Sequence, residues 1–286
     1  MKFNNKAVLL LLAIVFAKFS LMGCDKTQIE ASNKAISYNV RLGTGDDGVN
    51  KWSNRKAASI RMIEQEKPLV VGLQEALYDQ IKYFDAKLPD YKRVGVGRDD
   101  GKRSGEFMAV YYDAKRCKLL ASGTFWLSET PTKVSRGWDA ACHRTLTWLK
   151  LEHRQSKEVF YVFNTHLDHQ GQVARKQSII LIDSLINEVV TDNKPVILMG
   201  DFNMTADDAR LAKIFDNYDE SRRCSPITDD RGTYNAFKLD FKPLTIDFIF
   251  SKRLHCSAHR TLDGDYGVPF ISDHYPILFE FEFVEK

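Results

Sequence analysis

The sequence predicts a single domain of the α/β or α+β class. Apolar segments alternate with amphipathic ones from Gln28 onward, and no long Pro-, Gly- or Ser-rich linker divides them. A hydrophobic content of 44% is enough to bury a sizeable core, which excludes a disordered or collagen-like chain.

Taken in order, residues 35–41 have the pattern of a first strand. Residues 52–66 have helical spacing with Ile60 and Ile63 on the apolar side, and 69–73 is a short buried strand set up by Pro68. Segments 107–112, 145–151 and 159–164 read as further strands. The strongest helix spans 173–190, with Ile179, Ile180, Ile182, Leu185 and Ile186 on its buried side. Residues 195–199 form another buried strand, and strands at 246–250 and 276–283 close the domain. Polar loops are expected at 43–48 and 98–105.

The first residues belong to a different kind of segment. Lys2 and Lys6 precede an uninterrupted apolar run from Ala7 to Ala17, too short to cross a ~30 Å hydrocarbon layer as a helix but suited to a signal peptide. Leu21-Met22-Gly23-Cys24 then resembles the bacterial lipobox, whose cysteine is lipidated and becomes the mature N-terminus. The expected division is a signal peptide over 1–23, a lipidated tether over 24–33 and the domain over 34–286. This makes the protein an exported, monomeric lipoprotein of the bacterial cell envelope, held to a membrane through Cys24; plain secretion is the alternative.

Export changes the charge balance. Of 41 lysines and arginines, Lys2, Lys6 and Lys18 precede Cys24, where no acid occurs, so the remaining 38 bases face 38 acids. Attraction to a polyanion must therefore come from local clusters. Cys117, Cys142, Cys224 and Cys256 lack the close pairing of a zinc site. Their separations permit disulfides in an oxidising compartment, and buried free thiols fit the same pattern.

One pattern recurs along the chain: an apolar strand ends in a polar or ionisable residue, then a turn. Asn39 follows Ile36-Ser37-Tyr38, Gln74-Glu75 follows the 69–73 strand, and His166 follows Val162-Phe163-Asn164-Thr165. Asp201 and Asn203 follow 196–200, Asp247 begins 246–250, and Asp273-His274 precedes the last strand. Functional groups on loops held by a rigid sheet are what a constructed site requires. Glu75, Asp201, Asp273 and Asn39 supply hard oxygen donors without a cysteine, which favours Mg²⁺ or Mn²⁺ over zinc. His166 and His274 can bond a phosphate oxygen or move a proton near neutral pH, and Asp247 can hold an imidazole in one tautomer. This is an inventory for water attack on phosphorus assisted by a metal.

Gly72-Leu73-Gln74-Glu75, Asn164-Thr165-His166-Leu167, Gly200-Asp201-Phe202-Asn203, Ile246-Asp247-Phe248-Ile249 and Ser272-Asp273-His274-Tyr275-Pro276 stand in the order seen in the endonuclease/exonuclease/phosphatase superfamily. The resemblance runs from Asn39 to Pro276. The superfamily includes pancreatic-type deoxyribonucleases, abasic-site endonucleases, neutral sphingomyelinases and inositol polyphosphate phosphatases. The resemblance implies a four-layer sandwich of two packed mixed β-sheets flanked by helices. It implies Glu75 as the main metal ligand, assisted by Asn39 and Asp273, and Asp201 as the group that orients or deprotonates the attacking water. Asn203 would hold the phosphate, and His166 and His274, the latter braced by Asp247 or Asp273, would stabilise the pentacovalent transition state.

Other residues carry weaker signals. Asp168 and His169 either extend the site or bond its loops, and Arg144 either clamps a phosphate oxygen or pairs with a structural carboxylate. An arginine at this place is common in bacterial members, which favours substrate contact. Arg93, Arg98, Lys102 and Arg103 read as a solvated loop because Asp99, Asp100 and Glu106 dilute them. Phe125-Trp126-Leu127 and Trp138 read as core, and His143, His153, His255 and His259 as surface or packing residues. The expected activity is that of an exported Mg²⁺- or Mn²⁺-dependent phosphodiesterase or nuclease. The alternative is a sphingomyelinase-like or inositol-phosphatase-like hydrolase of lipid or small-molecule phosphates. The balanced charge gives no support to tight nucleic-acid binding. A surface binding protein without catalysis is a third class, opposed by the full set from Asn39 to His274.

Overall fold

The computed structural model describes residues 33–284; the expected signal peptide, Cys24 and all of the expected tether except Asn33 lie outside them. Among the described residues the strands run in chain order as β1 (Asn33–Asn39), β2 (Val70–Gln74), β3 (Tyr91–Val94), β4 (Val110–Asp113), β5 (Cys117–Trp126) and β6 (Thr145–His153). They continue as β7 (Val159–His166), β8 (Val196–Asp201), β9 (Asp219–Glu220), β10 (Asp247–Lys252), β11 (Leu254–Thr261) and β12 (Ile277–Phe283). The helices are α1 (Trp52–Glu66), α2 (Tyr78–Lys87), α3 (Gln172–Val189), α4 (Ala212–Asn217) and α5 (Ser221–Cys224).

The strands form two six-stranded mixed sheets, ordered β11-β12-β1-β2-β4-β3 and β5-β6-β7-β8-β10-β9. Each contains a parallel pair, β1 with β2 and β7 with β8. Side-chain alternation along each strand divides the core into three slabs. Ile36 and Tyr38 of β1 pack with Met62 and Ile63 of α1 and Phe84 of α2. Ala35 of β1 and Val70 of β2 face Val162 of β7 and Ile197 of β8 between the sheets. Phe163 and Leu198 pack outward against Ile179, Ile182 and Ile186 of α3. This is the four-layer sandwich expected.

Where strand and helix patterns are strong, expectation and structure agree to within a few residues. Ile180 is an exception: it is 43% exposed, on the outer face of α3 rather than the buried side. Strands β3, β5, β9 and β11 and helices α2, α4 and α5 had no counterpart among the expected elements. β5 is an edge strand with a bulge between Leu119 and Ala121, so only its ends are buried and no alternation marks it. β11 is polar (Leu-His-Cys-Ser-Ala-His-Arg-Thr), and α2 buries only Gln80, Ile81 and Phe84. Cys224 of α5 and Cys256 of β11 are disulfide-bonded, while Cys117 is a buried free thiol and Cys142 a half-buried one.

The two sheets touch closely through polar groups as well as apolar ones. Asn164 of β7 donates to the carbonyls of Leu73 (2.8 Å) and Ala109 (3.0 Å), and Gln74 of β2 donates to Asn164 Oδ1 at 2.7 Å. Gly72 makes room for this: a Cβ there would lie 2.6 Å from Met199 Sδ and 2.9 Å from the Asn164 amide. Replacing Asn164 leaves buried partners unpaired, so Asn164→Ala should lower unfolding free energy by roughly 2–4 kcal/mol in urea titration. Unchanged stability would mean that the cross-sheet bonds contribute nothing.

Candidate active site

Strand register assembles the site before any side chain is considered. In the β1–β2 pair Asn39 lies opposite Gln74, so Asn39 and Glu75 leave the first sheet side by side. In the second sheet His166 lies opposite Asp201 across β7–β8, and Asp201 opposite Asp247 across β8–β10. β8 can run this close to β7 because residue 200 is glycine, at φ 154°; a Cβ there would run into the Thr165 carbonyl. Glu75 and Asn203 turn away from their strands at φ 61° and 50°, left-handed conformations that aim their side chains back into the cleft. Asp273 and His274 arrive from the segment before β12, held by backbone bonds from Asn235 N and Ala236 N to Asp273 O.

Buried Arg55 of α1 fixes how these segments meet. Its guanidinium donates to the carbonyls of Asn50, Val40, Arg41 and Ile271, tying the exit of β1 to the chain that leads into Asp273.

The side chains then bond across the sheets. Asn39 Nδ2 donates to Glu75 Oε1 and Asp201 Oδ2, both at 3.0 Å, and Asn39 Oδ1 accepts from Arg41 N. Glu75 Oε2 accepts from Leu42 N at 3.0 Å. Asp201 Oδ1 accepts from Asn203 N at 2.9 Å. His274 Nδ1 is 2.8 Å from Asp247 Oδ2, and its Nε2 is 3.8 Å from Asp201 Oδ2. Asp247, rather than Asp273, is therefore the carboxylate that braces His274. Asp273 instead accepts from Ser272 Oγ at 3.2 Å and lies 3.7 Å from the Arg41 guanidinium.

The two imidazoles differ in protonation. Burial first, then the charges of Arg144 and Arg98, hold His166 well below the ordinary histidine range. Burial also opposes the cation of His274, but Asp247 and Asp201 outweigh it and raise the group to about 10. Asn203 Nδ2 lies 3.0 Å from His166 Nε2 and can only donate, so His166 carries its proton on Nδ1, 3.8 Å from Glu106 Oε2. Burial and the neighbouring Asp247 push the Asp201 carboxyl up to about 7, against the pull of His274. Burial likewise raises Asp273.

All eight positions expected in the catalytic and metal-binding set converge here, and Arg144 joins them. Its Nε donates to Asp168 Oδ2 at 3.2 Å, while its buried Nη1 has no hydrogen-bond partner. Arg144 thus pairs with a structural carboxylate through one edge and keeps its Nη1 free. Asp168 is a structural knot: its carboxylate also accepts from the backbone of Ala141, Cys142, Gln170 and Gly171. Burial raises this group, but those N–H donors and Arg144 hold it well below the usual carboxylate range.

Arg41, Arg98 and Glu106 are charged residues of the cleft that the sequence did not assign to the site. Arg41 lines it from the loop after β1. Arg98, expected in a solvated loop, is 7% exposed and grips Glu106 through two bonds of 2.6 and 2.9 Å. Glu106, taken only as dilution of a basic loop, is largely buried, and burial raises its pKa. The available signal was its place directly before the 107–112 apolar run, the mirror of the strand-end pattern that marked the others. His143 bonds Asp99 at the cleft rim, and His259 is a buried packing residue bonded to Ser221.

The cleft has a volume of about 560 Å³. Among the described residues, Asp201, Asp247 and His274 form a group of potential ligands whose atoms all lie within 4.8 Å of one another. Since Asp247 and His274 already bond each other, a divalent cation is better served by Glu75 and Asp273. Both line the same cleft, and each Glu75 oxygen accepts a single bond, leaving lone pairs for an ion.

Comparison with known proteins agrees with this geometry. Residues 36–274 match the model of the endonuclease/exonuclease/phosphatase family, and the chain belongs to that family of phosphoesterases. It is 32% identical to an endonuclease/exonuclease/phosphatase from Bacteroides vulgatus, with a TM-score of 0.84 over 88% of this chain and 99% of that one. It is equally similar to a mannosyl-6-phosphatase from Bacteroides thetaiotaomicron VPI-5482, at 32% identity and TM-score 0.84 over 88% of this chain and 100% of that one. Protein L388 of Acanthamoeba polyphaga mimivirus is 26% identical over 273 residues, 87% of this chain and 100% of that protein.

Asp247→Asn removes the anion that keeps His274 protonated while the burial cost stays. The His274 imidazole, followed by NMR, should then lose its proton far below about 10, and turnover at neutral pH should fall by ~10²-fold or more. An imidazole that titrates as before would remove Asp247 from this role.

Proposed function

We propose that this protein hydrolyses phosphomonoesters of small hydroxylated molecules, sugar phosphates foremost, in a reaction that depends on Mg²⁺ or Mn²⁺. The observation that carries the reaction class is the pair of buried imidazoles, one neutral and one cationic, around Asp201 and Asn203. Substrate class rests on the likeness, over the whole of that chain, to a protein described as a mannosyl-6-phosphatase. The balanced charge of the chain after Cys24 and a bounded cleft with Arg41, Arg98 and Arg144 on its walls support a compact anion over a long polyanion. This favours the small-molecule branch over the nuclease that the sequence motifs first suggest.

In this reading the Asp201 carboxylate, poised near neutrality, orients the attacking water and takes its proton. Cationic His274, held by Asp247, stabilises the charge that grows on the phosphate oxygens, and His166 offers Nδ1–H from the other side. The Asn203 amide gives its two N–H groups to His166 Nε2 and Leu167 O, and so holds the His166 ring with its proton on Nδ1 rather than touching the phosphate itself. A divalent cation on Glu75, assisted by Asp273 and Asn39, would neutralise charge on the phosphate. For Asn39 this requires its amide to turn, since its oxygen faces Arg41 N. The leader and Cys24 support export and lipid anchoring.

The purified protein, assayed with Mg²⁺ against hexose phosphates, inositol phosphates, sphingomyelin, DNA and RNA, should turn over a phosphomonoester fastest. Chelation should abolish the activity and Mg²⁺ or Mn²⁺ restore it. Faster cleavage of nucleic acid than of every monoester would return the reading to a nuclease, and hydrolysis that survives chelation would remove the metal. In cells, globomycin should block processing and Cys24→Ser should release the protein into the soluble fraction; no effect of either would exclude the anchor.

A further inference from the structure

We propose that Arg144 and His169 form a two-donor subsite that selects phosphomonoesters over diesters by gripping the third non-bridging phosphate oxygen. The proposal rests on the phosphomonoester reading above. Its starting point is the contact of Arg144 Nη2 with His169 Nδ1 at 3.0 Å. A guanidinium can only donate, so His169 Nδ1 accepts, and the ring proton sits on Nε2. Arg144 therefore sets the tautomer of His169, much as a carboxylate sets that of a catalytic histidine but with the opposite outcome.

Two N–H groups then face one cleft. His169 stands exposed at its mouth; the amide nitrogen of exposed Gln170 lies 3.2 Å from its Nε2, so with the ring proton there that amide turns to present its oxygen, which an incoming phosphate oxygen can replace. Arg144 is 4% exposed, lines the same cleft, and its Nη1 has no partner. A buried guanidinium nitrogen without an acceptor is costly unless a ligand supplies one. The fork cannot swing away, because Asp168 holds Nε and the same carboxylate ties the 141–142 and 170–171 backbones together. Arg144 lines the same cleft as His166 and Glu106, and its charge acts on both.

The chemistry follows from counting oxygens. A monoester dianion has three unesterified oxygens besides the one that leaves; a diester has two, its third carrying a second organic group and no charge. His166 and His274 account for the two oxygens common to both. Arg144 and His169 offer rigid, charge-assisted donors to the oxygen that only a monoester leaves bare. A diester would set its substituent against those donors and leave them unpaired.

The test uses one leaving group on both substrate types, 4-nitrophenyl phosphate and bis(4-nitrophenyl) phosphate, with full-length protein and Mg²⁺. His169→Ala should lower the monoester-to-diester ratio of kcat/KM by about tenfold or more, and His169→Gln, which restores an N–H near Nε2, should recover part of it. Arg144→Lys should move the ratio the same way, because an ammonium cannot present a fork. An unchanged ratio in His169→Ala, or equal losses on both substrates, overturns the subsite while leaving the monoesterase reading intact. Wild-type protein that turns over the diester but no monoester, here or among the sugar phosphates, overturns both.

Discussion

The amide of Asn164 is the interaction on which the rest of the site depends. It sits on the central parallel pair of one sheet and bonds carbonyls of the other, with Gln74 returning the bond. Two residues beyond it is His166; one residue beyond Gln74 is Glu75. The spacing between the two halves of the catalytic apparatus is therefore set by three buried hydrogen bonds rather than by loop conformation. Apolar packing alone would tolerate sliding of one sheet over the other, whereas directional bonds between buried polar groups do not. Gly72 is part of the same device, since any side chain there would push the sheets apart.

Electrostatics then makes unlike groups from like ones. Both histidines are buried to a similar degree and both have carboxylates nearby, yet the charges of Arg144 and Arg98 act on His166 while Asp247 bonds His274 Nδ1 directly at 2.8 Å. Neutral and cationic imidazoles in one cleft offer two kinds of group without any change in residue type. Carboxylates gathered in the same volume raise one another, and a bound cation would relieve this repulsion.

Much of this was readable in the linear chain, for a physical reason. The residues that carry the chemistry sit where strands end, and a strand end is visible as a loss of apolar pattern. Asn39, Glu75, His166, Asp201 and Asp247 all announce themselves this way. Arg98 did not, and the place of Glu106 before an apolar run did not reveal their mutual burial, because that comes from a long-range fold-back of a polar loop under Trp126, whose indole donates to the Arg98 carbonyl. Nothing local distinguishes a salt bridge that will be buried from one that stays in water. Edge strand β5 and polar β11 escaped for a related reason: strands that are half-solvated, or stabilised by a disulfide and neighbours distant in sequence, lack the periodicity that marks a buried strand. The pairing of Cys224 with Cys256 likewise depends on α5 meeting β11, which spacing alone does not specify.

The glycine that opens Gly200-Asp201-Phe202-Asn203 has a consequence for how such proteins are compared. That position has no chemical duty; it records how tightly two neighbouring backbones are pressed together at Thr165. The aspartate after it records a reaction. Among relatives, loss of the aspartate would therefore mark an abandoned chemistry on an intact scaffold. Loss of the glycine would mark a widened strand interval, with the aspartate still in place but out of reach of the groups it must serve.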